Sequence, residues 1–277
     1  MAVKLEYVQE ALAGTYEIER VIGKGGMSTV FLGHAPGDDR PLAIKVLRPE
    51  FAATIVGDRF RREIAILTKL QHRNILPLHS SDIAGAIVYY VMPFAVAGSL
   101  RPRMVREGRL RFDQALDFTR QIAQGLDYAH ANDVIHRDIK PENIVFHEGR
   151  AVICDFGVAR ALVRAGGESL STSGLVVGTP AYMSPEQARG ESELDFRTDI
   201  YSLACVVFEM LAGETPFTGR TTQAIMAKQV KERPPRLRVV RPDLPEHVED
   251  AMQTALQKEP ENRQASAGEF AAALGEP

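Results

Sequence analysis

The chain reads as an α+β fold in two parts: a small antiparallel β-sheet lobe with one main helix, then a larger, mostly helical lobe. Three observations predict this. Short runs rich in Val, Ile, Tyr and Phe, separated by Gly, Pro or Asp, dominate the first third. After the stretch AVAGSL the apolar residues recur with helical spacing. The length of 277 residues, 45% hydrophobic and 25% charged, suffices for one large domain or two lobes with a substantial core.

In chain order, TYEIERVIG, TVFLGHA and PLAIKVL read as an antiparallel meander. VGDRFRREIAILTKL predicts a helix, with Phe60, Ile64 and Leu67 at i, i+4 and i+7, and NILPLHS and AIVYYVMPF return to strand character. RFDQALDFTRQIAQGLDYAHAN repeats apolar residues at Leu116, Ile122, Leu126 and Ala129. TDIYSLACVVFEMLAGE reads as a helix capped by Thr198 and stopped by Gly213. Further helices are predicted over 221–230, 245–257 and 267–274, and no internal repeat is found. RALVRAGGESLSTSG reads as a loop. The basic, Pro-rich KERPPRLRVVRPDLP reads as a solvated connection in preference to a docking surface.

Several function classes are excluded. A formal charge of -3 with both signs interspersed gives no global field for nucleic acid or an anionic membrane, so any polyanion must be bound locally. The two cysteines, Cys154 and Cys205, belong to no CxxC or Cys/His cluster, which disfavours a disulfide scaffold or structural zinc and favours buried thiols in a reducing compartment. MAVKLEYVQEALAG lacks the apolar core of a signal peptide, and IYSLACVVFEMLAG is too short to cross a bilayer of about 30 Å. A cytoplasmic location without membrane contact is expected, and an anchor beyond Pro277 stays open.

Chemistry-bearing residues form a short series. GKGGMSTV, Gly23 to Val30, lies between two strand-like runs, so it is either an ordinary turn or a strand-loop-strand flap over phosphates. It is no Rossmann fingerprint, which needs a following helix, and no Walker loop, which needs Lys-Ser/Thr after the glycines. Lys45 sits inside a strand where a lysine needs a partner. Glu63, on the apolar stripe of the next helix, is one candidate, although it can equally pair with Arg59. In VIHRDIKPENIVF and ICDFGVAR, Asn143 and Asp155 offer an amide oxygen and a carboxylate of the kind Mg²⁺ takes. Asp138 is left free to accept a hydroxyl proton, and Lys140 to neutralise a transferred phosphoryl group.

The flap IGKGGMSTV, the AIK lysine, Glu63, HRDIKPEN, DFG, GTPAYMSPE, TDIYSLA and ENR occur in one order over roughly residues 16–274. That order resembles protein kinases, and in particular the bacterial, eukaryotic-like (Hanks-type) serine/threonine kinases. The resemblance implies a protein-kinase-like two-lobed fold with a helical extension at 1–15, a small lobe at 16–92, a hinge at 93–98 and a large lobe at 99–275. It implies transfer of the γ-phosphoryl of ATP to Ser or Thr of protein substrates, with Mg²⁺ as cofactor and Mn²⁺ as an alternative. Ile22, Gly23, Lys24, Gly25, Gly26, Met27, Ser28, Thr29 and Val30 would cover the nucleotide, with Ser28 departing from the usual third glycine. Lys45 would hold the α and β phosphates and Glu63 orient it. Val30, Ala43 and Val145 would sandwich adenine, Met92 guard the deeper pocket, and the Ala95 N–H read the ring edge, so the missing N–H of Pro93 does no harm.

By the same resemblance Asp138, Lys140 and Thr179 form the catalytic group, and Asn143 and Asp155 hold the metal. His136 is a packed residue beneath Phe156, Glu186 pairs with Arg263, and Asp199 anchors the catalytic loop. Arg59, Arg137 and Arg160 would face an activation loop carrying Ser169, Ser171, Thr172 and Ser173, which implies autophosphorylation, foremost at Ser171 or Ser173 and in trans if the chain forms a homodimer. Every catalytic position is filled, against an ATP-binding pseudokinase scaffold, and GTPAYMSPE argues against a small-molecule phosphotransferase. Kinases of this type often belong to longer membrane-anchored chains with the kinase in the cytoplasm.

Overall fold

A computed structural model describes residues 3–26, 28–52, 64–156 and 179–275. They divide into two units, one drawn from Met1–Gln71 and Leu76–Val96, the other from His72–Ile75, Ala97–Phe156 and Val177–Pro277.

The first unit begins with helix α1 (Leu5–Ala11) and continues through β1 (Glu17–Lys24), β2 (Ser28–His34), β3 (Leu42–Leu47), the one-turn α2 (Pro49–Ala52), β4 (Ser80–Ala84) and β5 (Ile87–Pro93). The strands form an antiparallel sheet in the order β1-β2-β3-β5-β4. Side chains alternate along a strand, so the register sorts them onto two faces. Phe31 lies opposite Ile44, and Ile44 opposite Val91, which places these three on one face with Leu42, Val46, Ile87 and Tyr89. Val3, Val8 and Leu12 join the same buried cluster, so α1 and its flanks cover that face. Each such side chain contributes about 1.5–3 kcal/mol by leaving water. Close packing of β1 on β2 requires one particular glycine: a Cβ on Gly33 would meet the Glu17 carbonyl oxygen at 2.4 Å, beside a register shift between Ile18 and Arg20.

Two expectations for this part change. NILPLHS forms no strand, because Asn74 and Ile75 belong to the second unit, where the Asn74 Nδ2 donates to the Ala151 carbonyl at 2.9 Å and its own carbonyl takes the Ile153 N–H. Only an isolated bridge from Ile75 to Ile153 remains, and β4 starts at Ser80. Of the predicted long helix, residues 64–67 are helical with Ile64 and Leu67 buried, whereas Phe60 lies outside the described residues.

The second unit contains α3 (Leu100–Glu107), α4 (Phe112–His130), a hairpin of β6 (Ile144–His147) and β7 (Arg150–Ile153), and then α5 (Pro185–Arg189), α6 (Arg197–Ala212), α7 (Thr222–Lys231), α8 (Leu237–Val240), α9 (Glu246–Ala255) and α10 (Ala267–Gly275). Helix α6 is buried on nearly all sides, and α4 turns Phe118, Ile122, Leu126 and Ala129 inward. The stop of α6 is as expected, with Gly213 left-handed at φ 86°. The start differs: Thr198 lies within the first turn, where its hydroxyl is bonded to Ser184 Oγ at 2.6 Å and cannot cap. The basic Pro-rich stretch is not merely solvated, since α8 buries Leu237 and Arg241 donates to the Leu211 carbonyl at 3.2 Å. Both cysteines are buried and outside any disulfide, and burial pushes Cys205 up to about 12. Among the described residues no helix is long and apolar enough to cross a membrane.

Candidate active site

The loop HRDIKPEN between α4 and β6 is shaped from below by one buried carboxylate. Asp199, in the first turn of α6, accepts the His136 N–H at 2.8 Å, the Arg137 N–H at 2.7 Å and His130 Nε2 at 2.8 Å. Burial alone would raise its pKa, but the His130 hydrogen bond and the surrounding donors outweigh this and hold the carboxyl below its ordinary range. The two backbone bonds fasten Arg137 in the left-handed region at φ 72°, a conformation costing a non-glycine residue of order 1–3 kcal/mol. His136 stands beneath: Nδ1 accepts the Asp138 N–H at 3.1 Å, which puts the ring proton on Nε2, 2.9 Å from the Cys154 carbonyl. Its ring meets Phe156 edge-on, with centroids 4.7 Å apart and planes at 70°. The expected stack is therefore a T-shaped contact, because hydrogen bonds at both ends fix the imidazole plane.

Above this floor, Asp138 Oδ2 receives two donors, Lys140 Nζ at 2.6 Å and Asn143 Nδ2 at 3.1 Å, while Nδ2 also reaches the Asp138 carbonyl at 2.8 Å. Oδ1 of Asp138 is then the oxygen open to a further proton. The same bonds commit the nitrogen of Asn143 and leave its Oδ1 as a hard donor. Asn143 immediately precedes β6, and its carbonyl accepts the Cys154 N–H at 2.9 Å, so Asp155, at φ 65°, stands at the same end of the hairpin. One amide oxygen and one carboxylate there fit Mg²⁺, which takes few protein oxygens and shares the rest with phosphate and water. Among the described residues no group of three or more His, Cys, Asp or Glu could hold a metal.

In the first unit the register places Val30 opposite Lys45, Lys45 opposite Tyr90, and Ala43 opposite Met92, all on the face not covered by α1. Lys45 Nζ lies 5.6 Å from the centroid of the Tyr90 ring. Gly23 pairs with Val30 and Lys24 with Thr29, after which the Gly25 N–H bonds the Ser28 carbonyl at 2.8 Å. A Cβ on Gly25 would meet nothing closer than 3.5 Å and one on Gly26 nothing within 4 Å, and neither has positive φ. The described residues themselves leave room for a side chain at both positions. Ser28 is buried, in keeping with a small residue at that turn. Ile22 continues β1 toward the turn. At the end of β5 the Phe94 N–H is taken by the Pro41 carbonyl at 3.0 Å, and among the described residues no backbone acceptor takes the Ala95 N–H. Val145 is half-buried on β6 of the second unit.

Thr179 belongs to the second unit. It precedes a 3-10 turn, Pro180–Tyr182, where its carbonyl accepts the Tyr182 N–H, and among the described residues its hydroxyl bonds neither Asp138 nor Lys140. Met27, Arg59, Glu63, Arg160, Ser169, Ser171, Thr172 and Ser173 lie outside the described residues. Glu186 and Arg263 do pair, with two bonds of 2.7 Å. Burial would raise the Glu186 carboxyl, yet the guanidinium holds it below the ordinary value. Sequence reasoning missed Gln187, whose Nε2 donates to the Arg137 carbonyl at 2.7 Å while its Oε1 takes the Ser184 N–H at 3.0 Å. The signal was available, since SPEQ is a capping-box pattern.

The chain belongs to the protein kinase domain family, which matches residues 16–272. Its curated relatives within that family include bacterial serine/threonine protein kinases. It is 38% identical over 274 residues to PknA of Corynebacterium glutamicum, covering 96% of this chain and 57% of that protein. It is 37% identical over 269 residues to PknB of Mycobacterium tuberculosis, covering 95% of this chain and 43% of that protein. The chain thus spans about half the length of the curated relatives it matches. Among solved structures it is similar to the PknI kinase domain of Mycobacterium tuberculosis, with a TM-score of 0.74, 29% identity and coverage of 95% of this chain and 95% of that one.

Proposed function

We propose that the chain is a serine/threonine protein kinase domain that transfers the γ-phosphoryl of ATP to hydroxyls of protein substrates. The observation that carries this reading is the division of labour at Asp138: Oδ2 is held by Lys140 and Asn143, and Oδ1 is left to accept a proton. As the substrate hydroxyl oxygen bonds the γ-phosphorus, its proton passes to Asp138, and the bond to the bridging oxygen breaks to leave ADP. Lys140 sets its charge against the transferred group. Lys45 and the Gly-rich backbone from Ile22 bind the phosphates, Val30, Ala43 and Val145 take the adenine, Met92 guards the deeper pocket, and the Ala95 N–H reads the ring edge. Mg²⁺, with Mn²⁺ as the alternative, would be held by Asn143 Oδ1 and Asp155, and when bound supplies positive charge against the phosphates.

Incubation with γ-labelled ATP and Mg²⁺, comparing the chain with Asp138→Asn, tests the assignment. Transfer to itself and to a generic basic protein should fall by about 10²–10⁴ in the variant. Equal labelling would refute the role of Asp138. The regulation in this reading is autophosphorylation of Ser171 or Ser173, between copies in a homodimer, in a kinase domain carried on the cytoplasmic side of a longer membrane-anchored protein. Mass spectrometry that finds no phosphate on residues 166–178 of ATP-treated, active protein would overturn the autophosphorylation.

A further inference from the structure

The turn Pro180–Tyr182 is held more tightly than a half-exposed backbone segment needs. Water can satisfy exposed carbonyls, yet here three consecutive carbonyls each receive a side-chain donor from a helix. Gln229 of α7, fully buried, donates to the carbonyls of Pro180 at 3.2 Å and Ala181 at 3.0 Å, and Ser202 of α6 donates to that of Tyr182 at 2.8 Å. The Tyr182 hydroxyl in turn donates to Glu209 at 2.5 Å and accepts from Arg101.

The direction of the Gln229 amide is also fixed. Lys258 Nζ can only donate, and it lies 3.4 Å from the Tyr201 hydroxyl, which therefore passes its own proton to Gln229 Oε1 at 2.6 Å. That leaves Nε2 facing the two carbonyls. Sequence inspection gives no hint of this chain, because its members are far apart and belong to no motif.

Two ties connect the turn and the helix after it to the flanks of Asp138. Gln187, four residues beyond Met183, bonds the Arg137 carbonyl, and Arg101 bridges Tyr182 to Glu142 at 2.7 Å, beside Asn143. The kinase resemblance makes GTPAYMSPE a platform for protein substrates, and a polypeptide laid along residues 179–182 would have its distance from Asp138 set by these side chains. We propose that Gln229, oriented by Tyr201, is a positioning residue for the protein substrate, holding the Pro180–Tyr182 turn at a fixed height beside Asp138. This rests on the protein-kinase reading above.

The test is steady-state kinetics with a histone mixture as acceptor, for the chain, Gln229→Met and Tyr201→Phe. Gln229→Met keeps the volume and removes both donors. Tyr201→Phe keeps the ring on which Arg263 and Lys258 rest and removes only the hydroxyl that orients the amide, so it is the milder second variant. The expected result is a KM for histone raised roughly tenfold in Gln229→Met and about two- to threefold in Tyr201→Phe, with the KM for ATP unchanged. An unchanged histone KM, or a parallel rise of the ATP KM, would overturn the inference while the kinase reading stands. Failure of the unsubstituted chain to label histone would overturn the kinase reading and this inference with it.

Discussion

At the scale of single residues, buried carboxylates do much of the organising, and their protonation has a readable sign. Asp199 and Glu186 are both held below their ordinary values of 3.8 and 4.5. The unfolded chain therefore binds more protons than the folded one in that interval, so the stability each group contributes is complete above the ordinary value and is lost as pH falls through the depressed one. Denaturant titrations from pH 7 to pH 3 should show the chain losing stability below about 4.5. Glu186→Gln should already be weaker at pH 7, by about 3–5 kcal/mol, because it leaves the Arg263 guanidinium buried without its counter-charge. Its further loss on acidification should be shallower, and an identical pH profile would refute the pairing as the source. Both residues were legible in the sequence only through the kinase pattern, since an isolated acid in a helix gives no clue to a partner 77 positions away. Gln229 and Tyr201 were not legible at all, because a neutral amide that bonds backbone carbonyls leaves no mark of charge or spacing.

At the scale of elements, the strands and long helices followed their periods, and the misses have physical causes. Helix α3, LRPRMVRE, buries only Leu100 and Met104, too few apolar residues to display a period. NILPLHS had strand composition but was claimed by contacts of Asn74 and Ile75 with the β6–β7 hairpin. Helix α10 starts on a local cap, the Ser266 hydroxyl accepting the Glu269 N–H at 3.0 Å, and on a distant one that no local reading finds. Its first N–H groups, from Ala267 and Gly268, are accepted at 2.9 Å by the carboxylate of Asp127 on α4. Asp127→Ala should cost about 1 kcal/mol, and up to about 2, as loss of a helix cap. Gly268→Ala should do comparable harm, since its Cβ would sit 2.5 Å from Asp127 Oδ2. Thermal unfolding compared with a surface control substitution checks both, and no shift for either would show that Asp127 adds nothing to the Ser266 cap and the packing of α10.

At the scale of the whole molecule, the helix before the family match belongs to the core. The protein kinase domain match starts at residue 16, and the sequence likewise suggested an extension over 1–15, yet Val3, Val8 and Leu12 are buried with the sheet. A chain beginning at Tyr16 should unfold at lower temperature and bind a hydrophobic dye, and Leu12→Ala should cost about 2–5 kcal/mol. An unchanged melting temperature for the shortened chain would show that α1 adds nothing. Because α1 seals only one side of the sheet, strand β3 carries two properties on alternate positions. Leu42, Ile44 and Val46 answer to the core, and Ala43 and Lys45 answer to the face assigned to the nucleotide. Heat tolerance and ATP affinity can then drift separately through the same six-residue segment, and a lineage moved to a warmer habitat could rewrite the even positions while leaving its enzymology alone.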